Sequence, residues 1–186
     1  MPFVILGRLR KEGKIRYLGV STPEHDQNSV IDLMRSGHVD VVQVIYNIFD
    51  QEAAAELLPV AREHNVGIIV RVVFDEGSLT GRFTRGTKFA EGDFRAHYFA
   101  GDRLQRAVDR AEKVQQNLEG SGFNLPQAAL KFALAHPATS TVIPGIRSVW
   151  QAEANCAAPE LPDLPEALLL KLREHNWLRA FWYAGK

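Results

Sequence analysis

Four short apolar runs, at residues 15–20, 39–46, 67–74 and 140–143, set the strongest limit on what this chain can fold into. Valine and isoleucine dominate them, and Gly, Pro or Asn punctuates them. Near-continuous apolarity, in place of a clean alternation, predicts strands of a parallel sheet covered on both faces. Parallel neighbours cannot be joined by a tight hairpin and need a crossover of a dozen or more residues. The first three runs begin near 15, 39 and 67, which leaves room for one helix in each gap.

Helical patterns fill those gaps. Ser21-Thr22-Pro23-Glu24 offers a hydroxyl cap, a first-turn proline and an acid near the positive end of the dipole. A helix is therefore predicted from there to about Arg35, with Gly37 as its stop. Residues 51–64 form the next, with Leu57, Leu58 and Ala61 on one face and Asn65 at its end. Over 102–118, Leu104, Ala107, Val108, Ala111, Val114 and Leu118 fall on one stripe at helical spacing. Further helices are predicted over 126–136, 148–157 and 165–181. Residues 4–12 read as the last turns of another, because Arg8, Arg10, Lys11 and Gly13 suit a helix C-terminus. The interval 75–101 holds five glycines and no regular periodicity, and is predicted as a long loop after the third strand, of a length that is usually either functional or disordered.

This alternation argues for a single α/β domain over residues 1–186, with right-handed crossovers. Two architectures remain open. One is a doubly wound sheet, but no G-x-G-x-x-G follows any strand. The other is a partial (β/α)8 barrel, four parallel strands with flanking helices, since a whole one typically takes about 250 residues. Lys+Arg and Asp+Glu are both 22 in the 186 residues, so the net charge is zero. That balance gives no electrostatic reason to expect nucleic acid or an acidic membrane surface. No apolar run approaches the ~20 residues of a membrane helix. The apolar stretch before Arg8 and Arg10 is too short for a signal peptide. Cys156 is the single cysteine, which excludes an internal disulfide and fits a reducing, cytoplasmic setting.

In both architectures ligands sit at the C-terminal ends of the strands. The polar residues there are Ser21 and Thr22, Gln43, Arg71, and Gly145-Ile146-Arg147. Ser21 or Thr22 serves as a helix cap, a role that leaves room for donation to a ligand. Gln43, in an apolar strand, is either a satisfied core amide or a ligand contact, because an unmade hydrogen bond there costs about 1–3 kcal/mol. Arg71 stands in a valine run and needs a partner. Asp75 or Glu76 is the nearest candidate. Arg147 is either a surface residue or an anion contact at the entrance of a helix.

Taken together, "GKIRYLGVS" (13–21), "VDVVQVIYN" (39–47), "GSLTGRF" (77–83) and "VIPGIRS" (142–148) resemble landmarks of the C-terminal half of an aldo-keto reductase, in order and in spacing. The resemblance spans roughly residues 8–158. It implies strands five to eight of a (β/α)8 barrel that moves a hydride between NAD(P)H and a small-molecule carbonyl or alcohol. Ser21-Thr22 matches a Ser-Asn pair on the nicotinamide carboxamide, with the second member changed, and Gln43 matches a Gln on the same group. Arg71 occupies a position where an aromatic side chain often stacks on the nicotinamide. Beside an oxidised, cationic ring a guanidinium would repel. Gly77, Leu79 and Gly81 fall in the segment that folds over the pyrophosphate, where successive backbone N–H groups suit phosphate. Gly145, Ile146 and Arg147 would lie by the adenosine phosphate, with Gln151 and Asn155 further along the helix and Asn155 within reach of adenine. An acid common at the position before Asn155 is Ala154 here. Arg147 favours NADP(H) over NAD(H).

The resemblance also implies what to expect of the chemistry. The family's Asp, Tyr, Lys and His quartet comes from strands one to four, so no catalytic residue is assigned in this chain. Period-2 alternation turns Tyr46 away from Gln43, Tyr17 lies low in its strand, and Tyr98 and Tyr183 lie in a loop and near the C-terminus. His25, His38, His64, His136 and His175 fall on helices or their ends, and His97 falls in the long loop. No metal ligand set stands out. The leading expectation is the cofactor-side half of a reductase, truncated and inactive as a lone chain. The alternatives are a non-catalytic module that dimerises or docks on a missing N-terminal half, and an unrelated open α/β binding protein.

Overall fold

The computed structural model describes residues 2–24, 26–179 and 182, so His25, Phe181 and Tyr183 lie outside the described residues. Its elements are α1 (Pro2–Lys11), β1 (Gly19–Ser21), α2 (Ile31–Arg35), β2 (Val41–Ile45), α3 (Leu57–Glu63), β3 (Gly67–Arg71), α4 (Phe94–Tyr98), α5 (Arg103–Asn117), α6 (Leu125–Leu134), β4 (Thr139–Val142), α7 (Val149–Ala157) and α8 (Glu166–Arg173). The four strands form one sheet in the order β1-β2-β3-β4, every pair parallel. The architecture is α/β, with helices flanking a parallel sheet.

The sheet is sealed on one face only. Val42 and Val44 of β2 and Ile68 and Val70 of β3 are fully buried in the main core. Met34, Leu57, Leu58, Ala128 and Phe132 come to that core from α2, α3 and α6. Val41, Gln43, Ile69 and Arg71 alternate with them and are only half-buried. Coverage of both faces, expected from the apolar runs, is therefore not what the described structure has. At the C-terminal end of β2 the second face is covered, because Ile45 packs in a separate cluster with Tyr98, Phe99, Ala107 and Trp182.

Several elements differ from the sequence expectation in their bounds. The first strand is three residues long because β2 begins only at Val41. Asp40 uses its backbone N–H on the carbonyl of Leu18 (2.8 Å), and its carboxylate accepts from Leu18 N (2.7 Å) and Arg10. Neither Ser21 nor Thr22 caps a helix. Ser21 is still in the sheet, Thr22 N donates to Gln43 O (2.9 Å), and helical structure begins with a 3-10 turn at Gln27–Val30. The last helix ends at Arg173, because the chain then turns back: Trp177 N donates to Phe49 O (2.7 Å) and Gln51 N to Asn176 Oδ1 (3.2 Å). The pattern over 51–64 is a 3-10 turn at Glu52–Ala54 and then α3, closed by Asn65 at φ 54°. Within the long loop lie a kinked 3-10 segment, Asp75–Thr80, and α4.

Smaller features pin the remaining elements. Ser148 caps α7, accepting from Gln151 N (3.2 Å), and Asn124 with Gln127 forms a reciprocal capping box on α6. Between β3 and β4 the register skips Ser140, whose hydroxyl accepts from Ile68 N (3.0 Å). Among the described residues no helix is long and apolar enough to cross a membrane. Phe132 is 1% exposed and stacks on Tyr46 at 5.4 Å, where helix meets sheet. Phe132→Ala should cost about 3–5 kcal/mol in urea denaturation. A loss under about 1 kcal/mol would mean that this contact does not join α6 to the sheet.

Candidate functional site

The parallel register brings the C-terminal ends of the strands to one rim. Ser21 pairs with Gln43, and Ile45 with Arg71. Ser21 Oγ donates to Gln43 Oε1 (3.3 Å), so the two side chains read as a carboxamide-binding pair already touch. Thr22 is 3% exposed, and its Oγ1 has no hydrogen-bond partner. Arg71 reaches across the rim, donating to the carbonyl of Thr22 (3.0 Å) and lying 3.8 Å from Glu24. Asp75 and Glu76 were the expected partners. Asp75 is instead taken by Arg179, and Glu24, 47 positions before Arg71, carries the ion pair.

After β3 the backbone takes a tight path. Val72, Asp75, Glu76 and Gly77 have φ of 56°, 51°, 54° and 106°. Each non-glycine residue held there costs about 1–3 kcal/mol and persists only where its surroundings hold it. Asn47 supplies one hold: it is fully buried, donates to Val72 O (2.9 Å), and accepts from Phe49 N and Asp50 N (both 2.9 Å). At Gly77 a side chain is excluded twice over, by φ and by the Phe83 ring, 2.9 Å from where a Cβ would stand. Leu79 is fully buried in the core, so only its backbone can face a ligand. Gly81 closes the segment at φ 71°.

Beyond this turn lies a groove of about 370 Å³, walled by Glu76, Gly77, Thr80 and Arg82 on one side and Ile143, Gly145, Arg147 and Gln151 on the other. Arg95 of α4 completes it. It opens into a cavity of about 190 Å³ between α6 and α7, lined by Asn124, Gln127, Trp150, Gln151 and Asn155 among others. Five residues belong to both spaces, Phe74, Thr80, Arg82, Gly145 and Gln151, so they form one continuous trough. The Arg82 guanidinium sits 5.5 Å from the Trp150 ring. Gln151 Oε1 accepts from Arg147 N (2.6 Å), tying the strand-four turn to α7. Asn155 Nδ2 is buried and has no partner.

The charge of the trough is positive. Arg82, Arg95 and Arg147 line it against one carboxylate, Glu76. Arg95 is neutralised by Asp93, whose carboxyl its hydrogen bonds hold down at about 2. Among the described residues neither Arg82 nor Arg147 is in an ion pair. Such a donor set suits phosphate oxygens, to which guanidinium binds in a bidentate fork.

Of the residues singled out in the sequence, Gly77, Gly145, Arg147, Gln151 and Asn155 line the trough, and Ser21, Thr22, Gln43 and Arg71 form a hydrogen-bonded cluster on the adjoining rim. Leu79, Gly81 and Ile146 line neither space. Arg95, Trp150, Asn124 and Gln127 escaped the sequence reading. Arg95 lies in the aperiodic loop, Asn124 precedes the predicted helix 126–136, and Gln127 falls in its first turn. Trp150 had a signal, since it stands between Arg147, just before α7, and Gln151 within it. Arg82 lies within the segment 77–83, beside Gly81. Of the tyrosines considered in the sequence, Tyr46 is buried against Phe132, and burial pushes its hydroxyl up to about 12, while Tyr98 is buried beside Phe99 and Trp182.

The model of the aldo/keto reductase family matches residues 3–176. An NADH-specific methylglyoxal reductase of Escherichia coli (strain K12) is 27% identical over 172 residues, covering 91% of this chain and 51% of its own length. An aldo-keto reductase of Schizosaccharomyces pombe (strain 972 / ATCC 24843), named for NADP(+), is 29% identical over 178 residues, with 91% and 52% covered. The solved structure of a glycerol dehydrogenase from Gluconobacter oxydans shares the fold at a TM-score of 0.75 and 22% identity, over 91% of this chain and 51% of that one. The chain spans about half the length of the relatives it matches.

Below the rim, burial pushes the Asp50 carboxyl up to about 6, against the attraction of Arg179. The folded value lies above the unfolded one, so this group's stabilising contribution is full below about pH 4 and is lost as pH rises through about 6. His136 and His175, held low by burial, act with the opposite sign just below pH 6.5. The difference between wild type and Asp50→Asn isolates the carboxyl. Relative to that variant, the wild type should lose up to about 3 kcal/mol between pH 4 and pH 7.5 in urea denaturation. Parallel pH profiles would refute it.

Proposed function

The chain belongs to the aldo/keto reductase family, and from that premise we propose that it is the C-terminal, cofactor-side half of an NAD(P)H-dependent carbonyl or alcohol oxidoreductase. The observation that carries this reading is the positive trough at the strand ends, with Arg82 and Arg147 outside any ion pair among the described residues and a partnerless amide in its depth. Arg147, Arg82 and the backbone around Gly77 and Gly145 would hold phosphates. Asn155, with Trp150 and Gln151, would hold the adenosine end. Ser21, Thr22 and Gln43 would hold the carboxamide, and the partnerless Thr22 Oγ1 fits that assignment. Arg71 does not fit a stacking role, since its guanidinium is engaged by Thr22 O and Glu24. The cofactor supplies a hydride when bound; the residues assigned here bind and orient it.

We assign NADP(H) over NAD(H) because a surplus of guanidinium favours one more phosphate. An exposed free thiol at Cys156 suits a reducing, cytoplasmic compartment. The reaction's proton would come from outside this chain, since the family's catalytic quartet belongs to the other half of the barrel, and Tyr46, pushed up to about 12 by burial, is a poor substitute. A second reading is favoured by the sheet itself. Among the described residues β1 and β4 each have one neighbour, and Val41, Gln43 and Ile69 leave a half-buried face, so a second half barrel, either a copy of this chain or a partner, would close the sheet.

Fluorescence titration should show NADPH bound at least tenfold tighter than NADH. Arg147→Ala should weaken NADPH about 10–100-fold, the worth of one charge-assisted hydrogen bond, and leave NADH nearly unchanged. No NADPH binding by the wild type would end the proposal. Carbonyl-dependent NADPH oxidation should stay at background, and normal turnover by the purified chain would overturn the assignment of the proton donor elsewhere. Size exclusion with light scattering should give a species of at least twice the chain mass, and a well-folded monomer would remove the second reading.

A further inference from the structure

Asp75 is the first residue of the segment that walls the phosphate groove, and it is held from the far end of the chain. It is 1% exposed, has φ of 51°, and its carboxylate accepts from Ser78 Oγ and from both terminal nitrogens of Arg179, 104 positions later. Arg179 is 4% exposed, its guanidinium lying 4.7 Å from the Trp177 ring, 5.4 Å from Trp182 and 5.5 Å from Phe49. The C-terminal segment that carries it is fastened independently, by Trp177 N on Phe49 O and by Gln51 on the backbone of α8. A planar cation fixed between aromatic rings presents a rigid fork, and Asp75 is where that fork closes.

We infer that Arg179 is a positioning residue for nucleotide binding: through Asp75 it fixes the backbone of Glu76 and Gly77, and so the wall of the phosphate groove. This rests on the reading of the trough as a cofactor site. Glu76 and Gly77 follow directly on Asp75, continue its run of positive φ, and line the groove together with Thr80 and Arg82. Thr80 Oγ1 donates to Gly77 O (2.6 Å), which carries the constraint along the wall. The pair touches the trough only through this backbone, since neither Asp75 nor Arg179 lines it.

The test compares wild type, Arg179→Met, Arg179→Lys and the double variant Asp75→Asn/Arg179→Met. Three readouts are taken on the full chain: the urea midpoint, amide hydrogen exchange of residues 75–82 without cofactor, and the Kd for NADPH. Arg179→Met leaves a buried carboxylate uncompensated and should lower the midpoint. The double variant removes both charges and should recover it. If the pair positions the groove, that recovered variant still exchanges residues 75–82 at least tenfold faster than wild type and binds NADPH at least tenfold more weakly. Arg179→Lys, which keeps the charge and loses the fork, should bind more tightly than Arg179→Met and less tightly than wild type. Exchange and Kd within twofold of wild type in the double variant would overturn the inference. Should the wild type itself bind no NADPH, the cofactor reading fails, and unchanged exchange over 75–82 would separately sink the coupling.

Discussion

Parallel register is the constraint on which the rest of this molecule depends. Pairing Ser21 with Gln43, Ile45 with Arg71 and Val70 with Val142 brings the four strand ends to one side of the sheet. Everything with polar chemistry then emerges on one rim. The same register decides which side chains are sealed against helices and which face the open side, because each step along a strand reverses the face. Gln43 and Arg71 lie on the open side with Ile69, which is why two polar groups are tolerated inside otherwise aliphatic strands.

Much of this was legible in the sequence. The valine and isoleucine runs located all four strands, and apolar periodicity located the buried face of α5. The ends of elements were less legible, because they depend on partners. Ser21-Thr22-Pro23 has the composition of a helix start, but the backbone there is claimed by Gln43. The aliphatic run from 67 continues to Phe74, yet β3 stops at Arg71, where Val72 turns to positive φ on a hydrogen bond from Asn47. Least legible were contacts between distant residues. Arg71 has carboxylates four and five positions on and uses neither, because Asp75 already faces Arg179 and Glu24 lies across the rim.

The ion pairs fall into two physical classes. Arg85 with Asp109 and Glu112, and Arg106 with Asp102, lie on the surface, where solvent leaves a pair worth about 0–1 kcal/mol. Asp75 with Arg179 is 2% exposed on both sides, and there geometry matters more than net stabilisation, since desolvation offsets much of the attraction. Lys131 falls between: its buried ammonium reaches the exposed carboxylate of Asp163 and the carbonyl of Leu161, joining α6 to the segment before α8.

The skip at Ser140 also bears on how the molecule is made. Its contact with Ile68 closes over 72 positions, more than any other step in the sheet, so β4 cannot join until a long stretch of chain has followed β3. At synthesis rates of 5–20 residues per second, the Gly67–Arg71 edge stays without its neighbour for roughly 3–14 s. That edge reads GIIVR, an aliphatic strand with one charge at its end. A nascent chain thus carries an unpaired, aggregation-prone border through much of its own translation. The strand that leads into the trough-shaping turn is therefore the one that waits longest for its neighbour in the sheet.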